Sequence, residues 1–260
     1  MKCVIGGTIK NCSRYIRQVY QNMLKIGELF SDYKIIFYYD VSEDRTLDKI
    51  QSIKLSNQNI NIIINQEPIC SERTKNIAKG RNGILDYIRN HYSDYEYFIM
   101  VDCDNVSSSE INIDVLKSYL HDNRWDSLSF NRKYYYDLWA LSIEPYVYSF
   151  WMLPSGKGDE LVRYIKETLN KISNEELLSV ISAFNGFSIY RTKLFLDCFY
   201  DGTLRLDLIP KSVLDQSIKI CGKPVGNPEN VDCEHRAFHL QAKYKNAARI
   251  MISKKILFNL

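Results

Sequence analysis

The stretch YEYFIMVDCDNVSS, residues 95–108, ends an apolar run in two aspartates one residue apart, Asp102 and Asp104. Side chains alternate along a strand, so these two carboxylates point to one side and Cys103 to the other. Like charges that close repel unless a cation joins them. Carboxylate oxygens are hard ligands suited to Mg²⁺ or Mn²⁺. Mg²⁺ takes one or two protein carboxylates and completes its sphere with substrate phosphate and water. The pair therefore fits a site where a metal carries a diphosphate. The plainer reading is that both aspartates cap the turn that follows.

Other residues could serve the same chemistry. In the segment 72–92, ERTKNIAKGRNGILDYIRNHY, Arg81 falls within the apolar stripe Ile77, Ile84, Leu85, Ile88. An arginine there must snorkel, pair with an aspartate, or meet a fixed anion such as a diphosphate. Arg73 and Lys75, at the start of that segment, either reach phosphates or form a solvated face. Segment 232–239, DCEHRAFH, holds Asp232, Glu234, His235 and His239. His235 and His239 are four apart and share a helix face, a spacing able to bind a metal, although no H-E-x-x-H is present. Glu234 near a helix start is favoured by the helix dipole whatever else it does. Gly6, Gly7 and Thr8 would let backbone approach a nucleotide, but neither a G-x-G-x-x-G nor a P-loop is present. Tyr134, Tyr135, Tyr136 and Trp139 either stack on sugar rings or pack in the core.

These residues need elements to position them. Segments 2–7, 33–40, 60–65 and 95–102 read as strands, and segments 13–30, 46–55 and 72–92 as helices, with Ser13 as an N-cap. Such alternation predicts a parallel α/β sheet, whose ligands sit beyond the carboxyl ends of the strands. Asp40, Asp102 and Asp104 all fall at such ends. Further on, 126–142 reads as extended, 158–172 as a helix, 175–183 as another helix and 184–191 as a strand. Residues 223–231 are turn-prone, 232–246 form a helix and 248–253 a strand.

The 260 residues suit one large domain. A net charge of +3 is too mild to imply nucleic-acid binding. Seven cysteines, an odd number without a C-x-x-C pair, read as free thiols in a reducing compartment. No run of apolar residues is long enough for a membrane span and none fits a signal peptide, so a cytoplasmic protein is expected.

FIMVDCDN, coming after three strand–helix units, resembles the D-x-D strand of GT-A glycosyltransferases, which use nucleotide sugars. Residues 231–256, VDCEHRAFHLQAKYKNAARIMISKKI, resemble the late part of that fold, where an acidic motif opens a helix and a last strand follows. YYYDLWAL, NGFSIYR, CEH and FHL are similar to the capsule-type α-1,3-mannosyltransferases and their relatives. The resemblance covers most of the chain. It implies an α/β, Rossmann-like GT-A fold with a mostly parallel sheet, in one domain with a nucleotide-binding half (1–106) and an irregular acceptor-side half (107–260). It implies a Mn²⁺- or Mg²⁺-dependent transferase moving a sugar from a UDP- or GDP-sugar to a glycan or other hydroxyl acceptor. Asp40 would contact the nucleoside, and Gly6, Thr8, Arg73, Arg81 and Asp102 the rest of the donor. Asp137 and Trp139 would meet the sugar, and Asn185 and Gly186 would line the acceptor side. Glu234, or else Asp232, would be the base of an inverting reaction, and His235 would complete the metal sphere. The chain reads Glu-His where many relatives read Glu-Asp, so these roles stay open, as does a retaining reaction that needs no such base. Two rivals use the same aspartates: a metal-dependent phosphoryl- or nucleotidyl-transfer enzyme, and a domain that holds nucleotide sugar without turnover.

Overall fold

The computed structural model describes residues 1–226 and 230–259. The middle of the turn-prone 223–231 stretch lies outside them. The alternating segments fold as their periodicity dictates: β1 (Lys2–Ile9), α1 (Ile16–Gly27), β2 (Asp32–Tyr39), α2 (Thr46–Ser56), β3 (Ile60–Ile64), α3 (Arg73–His91) and β4 (Tyr97–Val101). The remainder adds α4 (Ile113–Lys117), β5 (Ser127–Asn131), α5 (Lys157–Lys171), β6 (Leu177–Val180), β7 (Phe187–Arg191), α6 (Lys211–Cys221), α7 (Glu234–Asn246) and β8 (Ile250–Ile256). All eight strands join one sheet in the order β3-β2-β1-β4-β7-β5-β8-β6. β1 pairs in parallel with β2 and β4, β2 with β3, and β5 with β8. β7 runs antiparallel between β4 and β5, and β6 antiparallel on the edge beside β8.

Both faces of the sheet are covered, which explains the unbroken apolar run before Asp102. Val4, Ile36, Phe98 and Met100 pack towards α3 and α7, while Ile5, Phe37, Ile99 and Val101 pack towards α1. Ile84, Leu85 and Ile88 of α3 are fully buried. Each contributes roughly 1.5–3 kcal/mol by burial, so this stripe sets the helix against the sheet and aims its first turns at the strand ends.

Three expectations are corrected. Within residues 175–183, Leu177–Val180 form the edge strand β6 and no helix forms; Leu178 and Val180 are buried and Ser179 is exposed, a period of two too short to separate from a helix by sequence. Only Ser127–Asn131 of the extended 126–142 segment is strand. Ser13 is not the cap of α1: its N–H donates to Asp44 Oδ2 at 3.0 Å, and the helix starts at Ile16 on the carbonyl of Cys12. Helix α6 was not anticipated. Among the described residues, no helix is long and apolar enough to cross a membrane.

Candidate functional site

The carboxyl ends of β1, β2 and β4, the first turns of α3 and α7, and the loop 136–139 enclose a cavity of about 350 Å³. This is where an open α/β sheet is expected to bind its ligand. Thr8, Asp40, Arg73, Arg81, Asp102, Asp104, Asp137, Trp139, Glu234 and His235 all line it. Segments more than a hundred residues apart thus meet at one point. Asp40 lies at the far side, accepting from Asn65 Nδ2 at 2.6 Å.

Arg81 is the hub. It is 5 % exposed and its guanidinium lies over the Phe184 ring, 4.4 Å from the centroid. Nη2 donates to Asp102 Oδ1 at 3.0 Å. Nε stands 3.1 Å from Glu234 Oε1, near enough for an ion pair although off the line of a hydrogen bond. Burial opposes its charge, but Glu234 and Asp102 hold its pKa above the usual arginine value. The other oxygen of Asp102 accepts from Tyr136 Oη at 2.7 Å, and Asp102 N–H donates to Gly186 O at 3.0 Å. Asp104 Oδ1 accepts from Val106 N–H at 3.0 Å, so this aspartate does cap the turn. It also faces the cavity, where burial and the Asp102 charge raise its pKa.

The cavity fits a divalent cation. Five carboxyl groups line it against the three cations Lys10, Arg73 and Arg81, so with all of them ionised negative charge is in excess. Among the described residues, no three His, Cys, Asp or Glu side chains converge as a metal cage. A pair of aspartates is the donor set of a Mg²⁺ or Mn²⁺ that takes its remaining ligands from phosphate and water.

The structure reassigns several expected residues. Gly6 lies inside β1 under α3, where a Cβ would stand 2.7 Å from Ile84 Cγ2; it permits helix packing and does not reach the cavity. Asn185 adopts a left-handed backbone (φ 56°) and turns its side chain inward. Its Oδ1 accepts from Tyr136 and Asp137 N–H, and its Nδ2 donates to Phe130 O, so it braces the 136–139 loop rather than a ligand. Asp232 is buried outside the cavity and bound to Arg236 Nε at 2.7 Å, which leaves no free base there. His239 is also outside; Ser182 Oγ at 2.9 Å and Tyr190 Oη at 3.2 Å occupy both ring nitrogens, and burial keeps it neutral with a pKa lowered to about 3. The metal role expected of it is thereby corrected. His235 reaches the cavity, stacks on Phe184 at 3.7 Å and sets Nε2 against Arg81 Nη1. Burial and Arg81 lower its pKa, so its single lone pair faces a guanidinium.

Two carboxyls in the cavity differ sharply. Glu234 is raised by burial but countered by Arg81. Asp137 makes no ion pair among the described residues; Oδ1 accepts from Ala140 N–H and Oδ2 from Asn185 N–H, both at 3.2 Å. Burial and the Asp102 charge push its pKa up to about 7. The Tyr136 hydroxyl on Asp102 and the Tyr38 and Phe184 walls were not anticipated as site features. Only the aromatic run at 134–136 carried a signal, and it suggested ring stacking.

No family model and no curated protein matches the sequence. Solved structures do match. The structure of S. aureus TarS aligns over 99 % of this chain with a TM-score of 0.54 and 17 % identity, covering 36 % of that protein. TarS residues 1–349 in complex with UDP-GlcNAc give 0.53, and in complex with UDP 0.52, again at 17 % identity over 99 % of this chain. The chain spans less than two thirds of those two structures, 58 % and 60 %. With its eight-stranded, mostly parallel sheet flanked by helices, the protein has a GT-A-like fold, which it shares with TarS.

Proposed function

We propose that this protein is a metal-dependent glycosyltransferase that moves a sugar from a UDP- or GDP-sugar to a glycan or other hydroxyl acceptor. The observation that carries the reading is the meeting of Asp102, Asp104, Arg81, Arg73 and Glu234 in one cavity at the carboxyl ends of parallel strands. The fold shared with TarS structures that hold UDP and UDP-GlcNAc supports it.

Asp102 and Asp104 would hold Mg²⁺ or Mn²⁺, which supplies charge neutralisation at the leaving diphosphate. Asp40 at the end of β2 would bind the nucleoside, and Arg73 and Arg81 the phosphates, Arg as a planar fork suited to them. Trp139 and Tyr136 would shape the sugar pocket. In an inverting reaction Glu234 would take the acceptor proton; burial raises its pKa and Arg81 counters that rise. Glu234 is paired with Arg81. Binding of the diphosphate to Arg81 would release it.

The test is thermal stability with UDP, GDP, CMP and their common sugar conjugates, each with and without Mn²⁺, beside Asp104→Asn. A ligand at about 100 times its dissociation constant adds about 2.7 kcal/mol. The expected result is an upward shift with one nucleotide class that needs metal and is lost in the variant. Transfer should likewise be abolished in Asp104→Asn while the fold persists. Full transfer by that variant, or no shift with any nucleotide, would overturn the reading in favour of phosphoryl transfer or a domain without a donor site.

A further inference from the structure

The loop that carries Tyr136, Asp137 and Trp139 into the donor cavity has a second cavity on its other side, of about 250 Å³. Its floor is apolar. Leu138 and Leu141 of the loop face Val162, Ile165 and Leu169 of α5, which recur at helical spacing on one side of that helix. Leu141, Ile165 and Leu169 are buried, whereas Lys133, Tyr134 and Lys166 at the mouth are exposed.

The charge around this floor is of one sign. Arg132, Lys133 and Lys166 line the cavity and, among the described residues, no aspartate or glutamate does. The ion pairs made by α5 lie at other positions, Lys157 with Glu160 and Lys171 with Glu167. Arg132 is 4 % exposed; its Nε donates to Asn185 O and its Nη1 to Val106 O, and its Nη2 has no hydrogen-bond partner among the described residues. A neutral lipid would leave these cations unused, and a free phosphate would leave the apolar floor uncovered. An anionic head on an apolar chain satisfies both.

We propose that this cavity binds an amphiphilic phosphate, an isoprenoid or long alkyl chain lying on the Leu138–Leu169 floor with its phosphate between Lys133 and Lys166, and that such a lipid phosphate carries the acceptor. The assignment of an acceptor role rests on the donor-cavity reading above. The two sites are one loop apart: Tyr135 lines this cavity and its neighbour Tyr136 bonds Asp102 in the other. A head group at the mouth therefore stands beside the wall of the donor site. Every methylene buried on the floor adds about fourfold in affinity.

The probe is farnesyl phosphate, kept below its micelle range and titrated into the whole protein by calorimetry. One saturable site is expected. Farnesol and inorganic phosphate should each bind at least tenfold more weakly. Lys133→Glu with Lys166→Glu should weaken farnesyl phosphate at least tenfold, and Val162→Trp, which fills the floor, should do the same without touching charge. Saturating nucleotide with Mn²⁺ should leave its binding intact. No binding, equal binding by both variants, or displacement by nucleotide would overturn the proposal. Binding only to anionic vesicles, with none to the dispersed probe, would overturn it in favour of a membrane-facing basic surface. The nucleotide shift is measured on the same samples. A preserved nucleotide shift without farnesyl phosphate binding sinks this inference alone. Farnesyl phosphate binding without any nucleotide shift sinks the donor reading, and the acceptor role with it.

Discussion

Arg81 holds two carboxylates at once, the half-buried Asp102 at 3.0 Å and the buried Glu234 at 3.1 Å. Arg81→Met leaves both carboxylates without a counter-charge and should cost about 3–5 kcal/mol in metal-free buffer, because breaking a buried pair strands the partner. Glu234→Gln removes one member only and keeps Arg81 on Asp102, so its urea midpoint should fall less. Equal stability of Arg81→Met and the parent would show that the pairs are not formed. Asp137 makes a second prediction at this scale. Its folded pKa of about 7 lies above the unfolded value of 3.8, so the folded state binds more protons between them. Stability must then fall as pH rises through that window. Asp137→Asn should flatten the fall in urea midpoint between about pH 4 and 7, whatever its offset from losing one acceptor for two backbone N–H groups. Parallel curves for parent and variant would contradict the shift.

The site depends on turns as much as on its charged side chains. Asn185 and Gly186 both take left-handed backbone where β7 begins, and the Gly186 carbonyl accepts from Asp102 N–H and Ser107 Oγ. A Cβ on Gly186 would sit 2.6 Å from Val106 Cγ1 and 3.0 Å from Tyr136 Oη. Gly186→Ala should therefore lose about 1–3 kcal/mol to crowding, and the nucleotide-dependent thermal shift should weaken because Asp102 moves with the turn. Gly156 supplies the control: its φ is +80° but nothing lies within 4 Å of an added Cβ. Gly156→Ala should cost only the backbone strain, about 1–2 kcal/mol, and leave the nucleotide shift unchanged. Equal effects on nucleotide binding from both variants would disprove a specific link between the turn and Asp102.

Across the molecule, one sheet with a buried core on each face provides the rigidity that holds these turns. No disulfide contributes: all seven cysteines are free, and only Cys70 is exposed. One thiol should react quickly with an aromatic disulfide reagent in the native protein and seven in denaturant, with no change in melting temperature on adding reductant. A slow native reaction of several thiols would mean the sheet faces open more readily than their burial implies.

The sequence by itself determined the elements whose signal is local. The first four strands and the helices between them were legible because hydrophobic periods of two and 3.6 record which side of each element is buried. The same logic put Asp40, Asp102 and Asp104 at strand ends and Arg81 on an apolar stripe. The edge strand β6 was not legible, since four residues cannot distinguish the two periods. The partners of the site residues lie in contacts between distant segments, which no local period encodes. Asp232 and Glu234 are two residues apart, and the resemblance made Glu234 the first candidate for a base and Asp232 the second. Asp232, just before α7, pairs with Arg236 of that helix's own first turn, whereas tertiary structure alone brought Glu234 to Arg81 of α3 in the cavity. His235 and His239 share a helix face, yet one reaches the cavity and the other is closed off by Ser182 and Tyr190. One helical turn of depth, set by how α7 packs on the sheet, separates a site residue from a core residue.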